Sequence, residues 1–338
     1  MNKIQKRILI ITSIIIIGQT ALSQQQICTT DSIKSWLYFL ASDEMKGRAN
    51  GSEEIESVAM WLSDKYKEYG LQTFDGLDNF TQTYLIDNFD KFKQSGLLCG
   101  DATFVHKNVI GYIPAKEEKN NNDLFVVLSA HFDHLGTHSR FALNGDSIFN
   151  GANDNASGVV AMLAIAKNLH EHNIKPDFPI VFAAFSNEEL GGLGSSVFIR
   201  SGVVPIQKIK VNINLEMLGR TDEYGKNTFY ISGPNFSNLQ DVVVDFNKNT
   251  NWTIAETGDV ADMVFKVTDN ISFVNYASEV GICVPAHSFF VSGVKSSDMH
   301  RPNDEVEFID FENLYNVVAH FTKLIIHLAS KNVEVKCN

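Results

Sequence analysis

LFVVLSAHFDHLG, residues 124–136, joins an apolar run of strand length to a knot of polar side chains. From Leu124 to Ala130 the one interruption is Ser129. A nearly continuous apolar strand is buried on both faces, as in the parallel sheets of α/β proteins. Ligands in such sheets bind beyond the carboxyl ends of the strands, and HFDH stands at that position. The pattern recurs. Residues 179–185 read as a second buried strand and run into SNEELGG (186–192). Residues 209–215 alternate Ile and Val with Lys and Asn, and lead into NLEMLGR (214–220).

Helical stripes lie between these strands. Ile33, Trp36, Leu37 and Leu40 follow Thr30 and Asp31, a plausible N-cap. Ile55, Val58, Ala59, Leu62 and Tyr66 form a second stripe that Gly70 ends. Residues 156–169, 239–246 and 310–328 read as further helices. Residues 108–113 read as a short strand, 281–284 as another with 288–291 close behind, and 116–123 as a charged, Asn-rich turn. Strands alternating with helices predict an α/β sheet covered on both faces. No repeat or Pro/Gly/Ser-rich linker divides the chain, so residues 24–338 are expected to form a single catalytic domain, with an irregular excursion at about 75–105.

The 338 residues carry a formal charge of -12 and 44 % hydrophobic side chains. That excess of acid argues against nucleic acid or anionic lipid as partners. Lys3, Lys6 and Arg7, an Ile-rich run over 8–17 and Ala21-Leu22-Ser23 read as a secretory signal over residues 1–23. The mature protein is therefore expected in the periplasm or outside the cell, free of the membrane once cleaved. Four cysteines, Cys28, Cys99, Cys283 and Cys337, allow three full pairings. Cys283 lies in an apolar stretch and reads as a buried thiol.

The polar clusters have donor chemistry. In an extended backbone His131 and Asp133 point to one side, and a ligating histidine commonly gives its other N–H to a carboxylate. Asp154 could bridge two metals, or cap the helix that follows it. Glu188 and Glu189 follow a buried strand directly, and adjacent side chains point apart, so one could bind metal while the other serves as general base. Glu216 is an acid in an apolar sequence, where an unpaired carboxylate is costly. Pro302 fixes the turn that carries His300. Singly, each element also reads as a surface loop or a helix cap.

Together and in this order they resemble the zinc aminopeptidase family known as metallopeptidase family twenty-eight. The resemblance rests on SAHFDHLG (129–136), NGDSIFNGANDNASG (144–158), FSNEELGGLGS (185–195), NLEMLGR (214–220) and MHRPND (299–304). It extends to LASDEMKGRANGS (40–52) and NVIGYIPA (108–115). It implies a mixed, twisted β-sheet sandwiched between helices, the zinc-exopeptidase architecture, and two zinc ions acting on peptide substrates. It further implies that His131, Asp154 and Glu216 hold one zinc and Asp154, Glu189 and His300 the other. Glu188 would be the general base, with Asp133 behind His131. One position departs: the family usually has Asp where this chain has Glu216, which lengthens one ligand by a methylene. Two rivals share the scaffold. A glutaminyl cyclase would hold a single zinc on the equivalents of Asp154, Glu189 and His300, but typically has Trp where this chain has Met299. A non-catalytic binding ectodomain would need no metal at all.

Overall fold

The computed structural model describes residues 28–116, 124–221, 223–294 and 298–338. The expected signal at 1–23 and the turn at 117–123 lie outside the described residues. Helix α1, Thr30–Leu40, starts where the Thr29 hydroxyl accepts the Ser32 N–H, one residue before the expected cap. It buries Ile33, Trp36, Leu37 and Leu40. Helix α2, Glu53–Glu68, is capped likewise by Ser52, with three glutamates in its first turn and two lysines in its last. Those charges complement the helix dipole.

Among the described residues the main sheet has eight strands. They are β1 Thr81–Tyr84, β2 His106–Ile113, β3 Phe125–His131, β4 Ile180–Phe185, β5 Ile209–Glu216, β6 Thr228–Ile231, β7 Thr253–Ile254 and β8 Ala286–Phe290. Their spatial order is β1-β2-β4-β3-β5-β8-β6-β7. The central strands β4, β3, β5 and β8 run parallel, β1 and β2 pair antiparallel to their neighbours, and β6 is antiparallel to β8 but parallel to β7. The sheet is therefore mixed, as expected. The chain leaves β3 toward β4 and then crosses back to β5, so a crevice opens at the carboxyl ends of these strands, the switch point of an open α/β sheet.

Alternation along β3 divides the core. Val126, Leu128 and Ala130 face α1, α2, α3 (Ser157–Glu171) and the C-terminal helix, here α8 (Phe311–Leu328). Val127 faces the other layer, with Phe198 of α4 (Leu193–Ser201) and Phe273 of α7 (Asn270–Glu279). Each fully buried Val, Leu, Ile or Phe contributes about 1.5–3 kcal/mol, and the strands that carry the site stand between two such layers. Helix α5 (Leu239–Asn247) lies where the stripe at 239–246 predicts it, and α6 is Asp259–Val264.

Three expectations are corrected. Residues 281–284 are not a strand. Gly281, at φ 76°, ends α7, and the Ile282 N–H returns to the Ala277 carbonyl, the bond of a Schellman end. Pro285 follows, and pairing begins at Ala286. Cys283 is not a buried thiol: it is exposed and bonded to Cys337. The excursion at 75–105 is only partly irregular, because β1 adds an antiparallel edge strand to β2.

Candidate active site

The crevice collects side chains from five segments. His131 is the last residue of β3 and Glu216 the last of β5. Glu188 and Glu189 follow β4. Asp154 comes from the turn that precedes α3, and His300 from the loop after β8. Asp154 divides its two oxygens. Its Oδ1 lies 3.3 Å from His131 Nε2, which is in turn 3.4 Å from Glu216 Oε2. Its Oδ2 lies 3.2 Å from His300 Nε2, which is 3.3 Å from Glu189 Oε2.

These spacings test whether a metal fits. Four ligands about 2.1 Å from a tetrahedral zinc stand about 3.4 Å from one another. Each imidazole Nε2 is already at that separation from its two carboxylate oxygens, and imidazole with carboxylate suits zinc. The residues His131, Asp154 and Glu216 offer one donor group, and Asp154 with Glu189 takes part in a second. Glu216, despite its extra methylene, keeps its carboxylate in the first group. Its Oε1 accepts a 2.7 Å bond from Asn214, and Oε2 is left facing His131.

Burial and mutual charge set the protons. Burial alone would lower the His131 pKa, but the charges of Glu216 and Glu188 and the bonds to Asp133 and Asp154 hold it well above the usual range. The bonds of His300 to Asp154 and Glu189 push it up to about 11. Burial would raise Glu189, yet His134 and His300 bring it down to about 2. Glu188 is different: burial, reinforced by the charges of Glu189, Asp269 and Glu216, pushes its carboxyl well above the usual range.

Asp133 stands behind this arrangement. Its Oδ1 is 3.5 Å from His131 Nδ1. It also accepts the backbone N–H groups of Glu188 and Glu189, at 3.1 and 3.2 Å, and the Asn50 amide at 2.7 Å. It therefore couples the end of β3 to the loop after β4.

Four residues with no role in the sequence reading belong to the site. His134 is fully buried, with Nδ1 2.9 Å from Glu189 Oε1 and with Nε2 lacking a hydrogen-bond partner. It forms a donor group with Asp154 and Glu189, so two histidines, His134 and His300, approach Glu189 from different sides. Arg48 is buried completely and donates to the carbonyls of Leu40, Phe132, Asn150 and Gly151. Asp304 accepts the N–H groups of Asn153 and Asp154, each at 2.9 Å. Asn214 restrains Glu216. All four lie inside the quoted motifs, and membership of a motif is the signal that could have found them. Their partners are far away in sequence.

One wall of the crevice is apolar. A cavity of about 330 Å³ opens beside His131, Glu188 and His300, and Met217, Met263, Val264, Val267, Phe290 and Met299 line its other side.

Residues 108–325 match Peptidase family M28. Aminopeptidase YwaD of Bacillus subtilis is 25 % identical over 245 residues, which cover 68 % of this chain and 46 % of that protein. The chain thus spans less than half the length of that curated relative. The fold is shared with a zinc aminopeptidase from Bacillus subtilis at a TM-score of 0.63 and 17 % identity, over 91 % of this chain and 97 % of the other. It is shared too with the LapA aminopeptidase of Legionella pneumophila at a TM-score of 0.65 and 18 % identity, over 92 % and 74 %. With the family match covering most of the chain, and with carboxylate and imidazole donors gathered at the sheet's switch point, the protein belongs to Peptidase family M28.

Proposed function

We propose that this protein is a zinc-dependent exopeptidase that removes N-terminal amino acids from peptides. The observation that carries the reading is Asp154, whose two oxygens serve two separate donor groups in the cavity that Glu188 also lines. His131, Asp154 and Glu216 would hold one zinc, and Asp154, Glu189 and His300 the other. Bound there, zinc would supply Lewis acidity toward the scissile carbonyl and lower the pKa of the attacking water.

The chain's own residues do the rest. Glu188 takes the proton from water as its oxygen joins the carbonyl carbon, then gives that proton to the departing amine nitrogen as the C–N bond breaks. Asp133 holds His131 and the Glu188–Glu189 backbone in place while this happens. The apolar wall from Met217 to Met299 accepts the side chain of the residue removed and keeps water from it. Export to the periplasm or the exterior is supported by the disulfide between Cys283 and Cys337, since such bonds persist in oxidising compartments. Among the described residues no helix is long and apolar enough to cross a membrane. Packing of both helical layers on one sheet supports a single catalytic domain over 24–338.

The test is mass spectrometry of a mixed peptide set, Gln-initiated peptides included, incubated with the zinc-loaded protein. Stepwise loss of N-terminal residues is expected. Loss of ammonia confined to Gln-initiated peptides would instead mean a cyclase, and an unchanged set a binding module. In parallel, Glu188→Gln is expected to keep its fold and metal while losing about 10²–10⁴-fold in kcat. Full activity in that variant would remove Glu188 from its role.

A further inference from the structure

We propose that Asn214 is a positioning residue that adapts the first donor group to glutamate, by holding one oxygen of Glu216 so that only the other faces the metal. This rests on the metal-binding reading above. Asn214 precedes Glu216 by two residues on β5, so the two side chains share a face. Both are buried, and Asn214 Nδ2 donates to Glu216 Oε1 at 2.7 Å. Oε2 remains, 3.4 Å from His131 Nε2. A glutamate has one more rotatable bond than an aspartate. Left unrestrained at this position, it could turn both oxygens to the ion or swing into the cavity.

The direction of the Asn214 amide is dictated by its neighbours. The chain of bonds starts at a backbone carbonyl, Val127 O, which can only accept. Asn212 Nδ2 donates to it at 3.3 Å and to Ser129 Oγ at 3.0 Å. The Ser129 hydroxyl proton is therefore free to go to Asn214 Oδ1, at 3.0 Å. With its oxygen so engaged, Asn214 must turn its NH₂ toward Glu216 and toward Ser288 Oγ, at 3.1 Å. Ser129 and Ser288 are the direct cross-strand neighbours of Asn214 on β3 and β8. This buried polar row crosses three central strands one step below the metal-facing ends, and Ser288 continues it to Asn270 at the start of α7. An amide anchored on both sides, giving a charge-assisted bond to a ligand carboxylate, is an outer partner of the kind whose removal costs about 10–100-fold in metal affinity.

The experiment measures zinc stoichiometry and affinity by chelator competition in the wild type, N214A, E216A and the double variant, with thermal unfolding of each metal-free protein alongside. The wild type is expected to bind two zinc ions. N214A is expected to keep one unchanged and to bind the other about 10–100-fold more weakly. In the E216A background, N214A is expected to add no further loss, because its effect passes through Glu216. If N214A does not fold, N214S replaces it: its hydroxyl is too short to reach Glu216 but stays within the Ser129–Ser288 row. Equal weakening of both ions, an undiminished effect in the E216A background, or unchanged affinity overturns the inference while the two-ion reading stands. A folded wild type that binds no zinc overturns that reading, and the inference with it.

Discussion

Replacing Arg48 with methionine separates stability from catalysis. Arg48 sits with no accessible surface in a knot of four carbonyls. Phe132 lies between His131 and Asp133, and Asn150 and Gly151 lead into Asp154, so one guanidinium ties two donor-bearing segments to the end of α1. Bonds from a charged donor are each worth about 1.5–3 kcal/mol, so the four lost in Arg48→Met amount to a gross loss of at least about 6 kcal/mol. Part of this is offset. Burial brings the Arg48 pKa down to about 10 from 12.5 even though the charges of Asp304 and Asp133 oppose it. That shift is a cost of about 3 kcal/mol for keeping the cation inside, and methionine, of similar length, does not incur it. The net destabilisation is therefore expected to be at least about 3 kcal/mol, a large share of the roughly 5–15 kcal/mol that holds a domain folded. Catalysis has no such offset. Four released carbonyls let the two segments relax, and a misplacement of about 1 Å costs about 100-fold in rate. The assay is urea unfolding of the metal-free variant beside kcat on a chromogenic leucine amide at saturating zinc. A folded Arg48→Met protein with kcat within about threefold of wild type would refute the claim that this clamp sets the geometry of the site.

Acid should unfold the protein through histidines outside the site. His106, His287 and His320 are buried, and burial takes each down to about 4, against an ordinary 6.5. Unfolded, they bind protons that the folded state refuses, so the stability they contribute is complete above pH 6.5 and falls away as pH drops toward 4. His287, wedged between the Ser232 carbonyl and the Ser237 hydroxyl, should alone account for about 2 kcal/mol lost by pH ~4.5. Chemical denaturation in EDTA at neutral and acid pH, with His287→Gln beside wild type, checks this; an equal pH dependence in the two proteins contradicts it. Reducing the Cys283–Cys337 bond, which closes a loop of 54 residues, should cost up to about 4 kcal/mol. Thermal unfolding with and without dithiothreitol measures the loss, and the double serine variant should show no response to the reductant.

The residues with donor chemistry were legible because their signals are local. Buried strands announce themselves as apolar runs and helices as apolar stripes, and the structure adds the caps, Ser52 and Asp310, at two of those stripes. A histidine or carboxylate placed directly after such a run lands at the end of a strand whatever the sheet's strand order. That is why His131, Glu189 and Glu216 could be singled out before the order of β4, β3 and β5 was known. The end of α7 misled for an equally local reason. Val280, Ile282, Cys283 and Val284 are apolar enough for a strand, but Gly281 and Pro285 make them the exit of a helix.

What the sequence by itself determined was most of the donors, the places of His131, Glu188, Glu189 and Glu216 at the ends of buried strands, and the α/β class, since each depends on neighbours within a few residues. The tertiary structure alone decided how Asp154 divides its oxygens, that His134 faces Glu189, that Asn214 restrains Glu216, and that Cys283 pairs with Cys337. Asp304 meets the Asp154 amide across 150 positions, and Arg48 meets Asn150 across 102. Such bonds form because a buried charge or amide must find a partner once folding has stripped its water. Which partner it finds is a property of the packed chain, and no local pattern encodes it.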